Sequence, residues 1–316
     1  MKNKYVIGID LGGTKICGAV ASFEGDIISK YTIPTEAEEG EEAVLARIIT
    51  VIEKVIEESK VVEDEIVSIG IGSPGPLDAK EGKIITTPNL PFKNFNIVKP
   101  IKDKFNIPVY LDNDANAAAI GENVFGAGKG TDNMIFITVS TGIGGGAVLN
   151  GKIYRGNTCN ALEVGHMTVE RNGPRCNCGN YGCAEALASG TAIGRIAREA
   201  VERGESTSLS RFEKITSYEV FKEAEKGDAV AQNILNEALN YLGICVANII
   251  TSFDPEMVII GGGVSKGGTV VFNKVQEVVE QRCFRAMWEN TKIVPAALGT
   301  DAGVIGAVAL AIMESN

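Results

Sequence analysis

The chain holds a single histidine, His166, in 316 residues, so every task that an imidazole performs here falls to one side chain. It is also short of positive charge. Its 30 Lys and Arg face 40 Asp and Glu, for a formal net charge of -10 and a pI near 4.9. That balance argues against a nucleic-acid surface, which needs a basic patch to replace phosphate counterions. The expected partner is small or neutral. No uninterrupted apolar run reaches membrane-spanning length. The opening Met1 to Lys4 leads straight into the apolar run from Tyr5 to Ile9, which leaves no room for a signal peptide. No low-complexity linker separates parts of the chain. Two familiar phosphate motifs are missing as well: no Gly-x-Gly-x-x-Gly opens a first helix, and the run Gly126 to Thr131 has Asn123 where a Walker motif needs its first glycine. A dinucleotide enzyme and a P-loop ATPase are thereby disfavoured. The seven cysteines cannot all pair, and Cys17, Cys159, Cys245 and Cys283 lie outside any framework spacing. A reducing cytoplasm and no membrane are expected.

What is present is an ordinary globular balance, 45% hydrophobic and 22% charged, in a chain long enough for two packed domains. The strongest chemical signal follows the lone histidine. His166 is succeeded by Cys176, Cys178 and Cys183, so three of the seven cysteines fall within eight positions, and Glu163 and Glu185 stand just outside the two ends. One imidazole and three thiols make the Cys3His set of a tetrahedral structural zinc site. Zinc would hold one ring nitrogen and leave the other to bond something beyond the metal shell. The competing reading is a core histidine beside ordinary cysteines.

Two stretches share one pattern. Tyr5 to Ile9, Asp10, then Gly12, Gly13, Thr14 and Lys15 lead into a second strand, and Met134 to Val139, then Ser140, Thr141 and Gly142 do the same. Each is an apolar strand, a glycine and hydroxyl turn, and a returning strand, followed by a glycine-centred turn at Gly25 or Gly151. Such turns expose backbone N-H groups to a phosphate, and a threonine hydroxyl adds a donor. Asp10 would bring a carboxylate near a nucleotide-bound Mg2+. A third glycine run, Gly261, Gly262 and Gly263, follows an apolar strand and opens towards a helix near Thr269 to Phe284, where backbone can approach a nucleotide. Taken singly, each run also fits a plain tight turn. Helical periods mark Ala43 to Ile56, Asp228 to Phe253 and Ala302 to Met313, with strands such as Ile66 to Ile71 and Val258 to Ile260 between them. Alternating strands and helices call for an α/β architecture with partly parallel sheets.

The segment Pro108 to Glu122 reads as a strand that delivers polar residues to an alanine-rich helix. Asp114 fits an N-cap, and the helix terminus is expected to keep its carboxylate ionised and weakly basic. A weak base suffices for phosphoryl transfer, where positioning and charge neutralisation supply most of the acceleration. Asn113 would orient a sugar-like hydroxyl beside it, and Asp112, the rival base, would leave the strand on the opposite face.

These motifs, in this order, resemble the ROK family of repressors and sugar kinases, and within it most closely the bacterial and archaeal ATP-dependent glucokinases. The resemblance spans nearly the whole chain. It implies the actin-like ATPase (ribonuclease H-like) fold, with two α/β domains flanking a cleft, expected here at 1-118 plus 302-316 and at 119-301. It implies ATP with Mg2+ on the paired hairpins, held by Asp10, Gly12, Gly13, Thr14, Lys15, Thr141, Gly142, Gly262 and Gly263. Asp114 is the implied base for the sugar 6-hydroxyl. Asn113, Glu163, His166 and Glu185 are implied sugar ligands, Gly75 and Asn89 are further sugar contacts, and His166, Cys176, Cys178 and Cys183 are the implied zinc ligands. Phosphorylation of glucose is the activity expected, with N-acetylglucosamine, N-acetylmannosamine or another hexose as alternative substrates. A homo-oligomer is implied. A sugar-sensing repressor would carry a DNA-binding domain ahead of the first hairpin, where nine residues precede Asp10. The chain departs from the family at Cys159, Asn160 and Leu162, where small residues are usual, and at Ser140, where glucokinases commonly have glycine.

Overall fold

The computed structural model describes residues 4–87 and 89–315. They form two compact units, one of Met1–Asp132, Gly146–Ala161 and Ala297–Asn316, the other of Asn133–Gly145 and Leu162–Ala296. The first unit opens with β1 (Tyr5–Leu11), β2 (Lys15–Ser22) and β3 (Ile27–Pro34). It continues with α1 (Glu41–Ser59), β4 (Ile66–Ser73), β5 (Leu77–Asp78), β6 (Lys83–Thr86), β7 (Lys93–Asn96), α2 (Val98–Phe105), β8 (Val109–Asn113) and α3 (Asp114–Val124). The main sheet has the order β3-β2-β1-β4-β8, antiparallel across β1, β2 and β3 and parallel across β1, β4 and β8. Helix α1 buries Val44, Ile48, Ile52 and Val55 completely, the stripe that its spacing predicts. Each such side chain contributes about 1.5–3 kcal/mol on leaving water. Because β4 and β8 run parallel with Ser73 beside Asn113, both release the chain at one edge of the sheet, where α/β sheets gather ligands.

The second unit holds β9 (Met134–Val139) and the start of β10 (Ile143–Leu149), which passes at Gly146 into residues of the first unit and on to β11 (Lys152–Ile153). Then come α4 (Ala184–Ala188), α5 (Gly190–Glu202), α6 (Ser217–Glu225), α7 (Ala229–Phe253), β12 (Met257–Gly261), α8 (Thr269–Arg282), α9 (Arg285–Trp288) and β13 (Lys292–Pro295). Strands β9, β12 and β13 pair in parallel. The glycine run after β12 enters a short 3-10 turn, Val264–Gly267, before α8 begins. Helix α7 is long and apolar enough to cross a membrane by length and composition alone, which the sequence reading expected of no segment. Its Leu239, Leu242, Val246, Ile249 and Ile250 are buried in the protein, as in a core helix.

The last helix, α10 (Ala302–Glu314), belongs to the first unit and lies directly on its sheet. A side-chain carbon on Gly70 would stand 2.2 Å from the Ala307 carbonyl oxygen, so only glycine lets the helix come this close. Helix α3 packs on α10 just as tightly, with a carbon on Gly306 only 2.5 Å from the Ala117 oxygen. This packing keeps α3 whole within the first unit. The chain leaves that unit after Asp132, beyond the position 118 expected from sequence, and 146–161 return to it.

Candidate functional site

In the first unit, β1 ends by presenting Asp10 against the first turn of α10, where a carbon on Gly303 would lie 2.5 Å from the Asp10 carboxyl carbon. The next turn is closed by the Gly12 amide, which donates to the Lys15 oxygen at 3.0 Å. Buried Thr35 pins it from outside: its amide donates to the Thr14 oxygen at 3.0 Å and its hydroxyl to the Gly12 oxygen at 2.6 Å. The Thr14 and Lys15 side chains stay exposed. Gly13 meets Asn89, whose Cβ would be 2.7 Å from a carbon on the glycine, so these two expected site positions are adjacent.

Strand β8 then delivers three polar residues in a row. Asp112 is fully buried and saturated: it accepts from Arg155 Nε at 2.6 Å, from the Asn113 amide at 2.8 Å and from Asn116 Nδ2 at 2.8 Å. Arg155 also donates from Nη2 to Glu314 at 2.5 Å. The N-cap of α3 is Asn113 and not Asp114, since Asn113 Oδ1 accepts the Ala115 amide at 2.9 Å. That bond orients the Asn113 side chain with its Nδ2 towards Gly75. Asp114 is the first helical residue, its Oδ1 accepting the Ala115 amide at 2.8 Å. No described side chain pairs with it.

Asp114 is exposed at the surface, yet the protein packed around it raises its pKa by desolvation. The backbone N-H bonds at the helix start pull the other way and lose. The lowered basicity expected from the helix terminus is thus corrected: desolvation outweighs the dipole. Asp10 is raised too, first by burial and then by the charge of Asp114, with Lys15 and Lys30 opposing. Two carboxylates in one field fit a divalent cation between phosphate and protein.

In the second unit, the turn after β9 is held by the Ser140 amide, which donates to the Gly142 oxygen at 2.8 Å, and by the Gly190 amide, which donates to the Ser140 oxygen at 2.7 Å. Ser140, Thr141 and Gly263 line a cavity of about 320 Å3 together with Thr191, Arg198, Thr216 and Ser217. Two of the expected phosphate elements therefore share one hollow, with Gly262 directly behind it against the Val139 oxygen. Glu185, at the start of α4, reaches the same turn, where its Oε2 accepts the Ile143 amide at 2.9 Å.

The metal-ligand set also assembles in this unit. The ligating atoms of His166, Cys176, Cys178 and Cys183 all lie within 4.8 Å of one another. Zinc at about 2.3 Å from each sulfur in a tetrahedron separates the sulfurs by about 3.8 Å. The Cys178 and Cys183 sulfurs are 3.7 Å apart, and Cys176 Sγ is 3.7 Å from His166 Nδ1. The residues fit the ion. Burial and the neighbouring thiols push Cys183 up to about 12 in the bare protein, so a cation is what would keep the sulfurs ionised together. With Nδ1 turned to the sulfurs, the outward nitrogen Nε2 faces Glu163 Oε2 at 4.0 Å. Glu163 is exposed, and Glu185 Oε1 lies 3.9 Å from Cys176 Sγ.

The ROK family model matches residues 6–314. A glucokinase of Thermotoga maritima is 38% identical over 315 residues, 98% of each chain. The chain belongs to the ROK family. A solved ROK glucokinase from Streptomyces griseus, in complex with glucose and AMPPNP, superposes with a TM-score of 0.81 at 32% identity, covering 98% of this chain and 99% of that one. A xylose repressor of Caldicellulosiruptor bescii is 35% identical over 98% of this chain and 78% of its own length. This ROK chain has the α/β units of the actin-like ATPase fold. Cys159 and Leu162 of the ROK chain, two of the expected departures, both have positive φ, 61° and 66°. Thr35, Arg155 and Arg198 escaped the sequence reading because no local spacing links them to the residues they hold.

Proposed function

We propose that this protein is an ATP-dependent hexose kinase, with glucose phosphorylated at its 6-hydroxyl. The observation that carries the reading is Asp114: a carboxylate of raised basicity, with no side-chain partner among the described residues, next to an oriented amide and two residues from a fully satisfied aspartate. In the first unit Asp114 accepts the hydroxyl proton as the alcohol attacks the γ-phosphate. Asn113 Nδ2 donates to a sugar oxygen, with Gly75 and Asn89 beside the same sugar. Asp10 meets the Mg2+ carried by the nucleotide, whose charge offsets that of the phosphates. The amides of Gly13, Thr14 and Lys15 face phosphate oxygens, while that of Gly12 closes the turn on Lys15. In the second unit, Thr141, Gly142, Gly262 and Gly263 take the remaining phosphates and the nucleoside, and the hydroxyl-rich cavity with Arg198 suits that ligand. Glu163, His166 Nε2 and Glu185 accept or donate to sugar hydroxyls. A structural zinc on His166, Cys176, Cys178 and Cys183 would lock the loop that carries them, with no open coordination position for chemistry.

The relatives named glucokinase support this reading, and the xylose repressor supports a second: a protein that binds sugar without turning it over. One experiment separates the two. Purified protein with ATP and Mg2+ is offered a hexose panel in a coupled assay for ADP release; turnover of glucose is expected, and no turnover of any hexose would overturn the kinase. Elemental analysis is expected to find about one zinc per chain, lost together with thermal stability in Cys178→Ser. A native protein that is zinc-free and fully active refutes the metal.

A further inference from the structure

We propose that Arg198 is the base-binding residue of the donor cavity: it holds the nucleobase by its face, so the phosphoryl donor is a nucleoside triphosphate with little selection between adenine and guanine. The inference rests on the kinase reading and deepens it, since it names the class of donor.

The cavity of about 320 Å3 in the second unit runs away from the phosphate turn along α5. That helix begins on the turn itself, where the Gly190 amide donates to the Ser140 oxygen at 2.7 Å. Gly190, Gly194 and Arg198 stand four residues apart on one helical row, and all three line the cavity. The two glycines leave the row bare. Arg198 is its first side chain, about 12 Å along the axis from Gly190 at a rise of about 1.5 Å per residue. A nucleotide with its phosphates at the turn therefore carries its base towards Arg198.

The guanidinium is prepared for a flat partner. Its Nη1 donates to the Ile215 oxygen at 2.6 Å, which fixes the plane from one corner. A carbon on Gly194 would stand 3.3 Å from the same Nη1, so the glycine leaves the guanidinium room beside the helix. No carboxylate among the described residues pairs with Arg198, whereas Arg195, one turn earlier on α5, is bound to Glu199 at 2.6 Å. An exposed guanidinium held by one backbone bond is free to stack on a base, where its charge and its plane both attract the π-system.

The rest of the lining does not read the edge of the base. The hydroxyls of Thr191 and Ser217, like those of Ser140 and Thr141 at the turn, bond to no described residue. Thr216 is already spent, its hydroxyl donating to Glu219 and accepting the Tyr218 amide. A free hydroxyl turns to donate or to accept, so it meets the 6-amino group of adenine and the 6-oxo group of guanine equally. Among the described residues no carboxylate, carboxamide or imidazole lines the cavity. A site of fixed hydrogen-bond partners rejects the wrong analogue by about 10⁴–10⁵-fold, and contacts to a face or a rotating hydroxyl lack that leverage.

The test is calorimetric binding of ADP and GDP, each with Mg2+, to the wild type, Arg198→Ala and Arg198→Lys, with glucose binding as the check on folding. In the wild type the two affinities are expected to agree within about tenfold. Arg198→Ala is expected to weaken both by about tenfold, the scale of one base stacked on a side chain, while glucose affinity stays the same. Arg198→Lys keeps the charge and loses the plane, so it is expected to fall with the alanine variant. GDP bound more than about a hundredfold more weakly than ADP overturns the lack of selection. ADP affinity that is unmoved in Arg198→Ala, or restored in Arg198→Lys, overturns the stacked base. Should Arg198→Ala fail to fold, Arg198→Lys and the wild-type ratio decide alone. Nucleotide binding of this pattern without transfer to any hexose overturns only the kinase.

Discussion

Asp112 and Asp114 stand two residues apart at the end of one strand, and the fold treats them in opposite ways. Asp112 is sealed from solvent and surrounded by a guanidinium, an amide N-H and a side-chain amide. Asp114 has a helix-start amide and no side-chain partner among the described residues, and its surroundings penalise its charge. The difference separates a carboxylate that holds the protein together from one held in readiness. A carboxylate whose surroundings raise its pKa gains by accepting a proton, which is the property a general base requires.

The largest expected effect breaks the second member of the pair. Asp114→Ala is predicted to lower kcat by about 10²–10⁴-fold, the usual contribution of a positioned base. Sugar binding by calorimetry should persist, because Asn113 keeps its cap without it. Turnover near the wild-type rate would remove Asp114 from the reaction.

The next effect breaks the first member. Asp112→Ala leaves Arg155 facing a hole, and it also removes an acceptor from Asn116 and from the Asn113 amide. Severing a fully buried pair costs about 3–5 kcal/mol. Arg155 keeps 27% of its side chain exposed and Glu314 as a second partner, so about 2–3 kcal/mol is expected, read from the denaturant midpoint. A midpoint shifted by less than that of an ordinary surface substitution would show that Asp112 is not the anchor described.

The same pair marks what the sequence made legible. The strand pleat shows that Asp112 leaves on the other face from Asn113, because it is a local repeat, whereas the cap of α3 falls one residue before the Asp114 that the sequence suggests. The histidine and three cysteines are legible for a similar reason, since all four lie within one short segment whose ligand chemistry is selective. Arg155 is not legible as the partner of Asp112: it lies 43 positions away in the loop after β11, with no period in common with β8. Nor is the bond that the Leu77 amide donates to Asn160 Oδ1, which joins residues 83 positions apart. The basicity of Asp114 is not legible for a further reason. A helix terminus is visible in the sequence, but the amount of protein packed around a carboxylate appears only once the chain has folded, and here it outweighs the dipole.

That last point yields the smallest effect and the sharpest test of the comparison. A carboxylate whose pKa is raised on folding adds stability that is complete below its unfolded value, near 3.8, and is lost as pH rises through the folded value. At neutral pH the ionised Asp114 therefore weakens the fold, and its charge also raises the neighbouring Asp10. Asp114→Asn keeps the shape, removes the charge and relieves Asp10. The variant is expected to melt above the wild type at pH 7, with the advantage shrinking towards pH 4 as the wild-type carboxylate takes up its proton. In the wild type, the acid limb of kcat/KM should lie above the ordinary aspartate value of 3.8, because the active form is the ionised one. A variant that melts below the wild type at pH 7 would mean that the helix-start N-H groups outweigh desolvation after all. Asp114 would then be a held carboxylate like Asp112, and the contrast between them would fail.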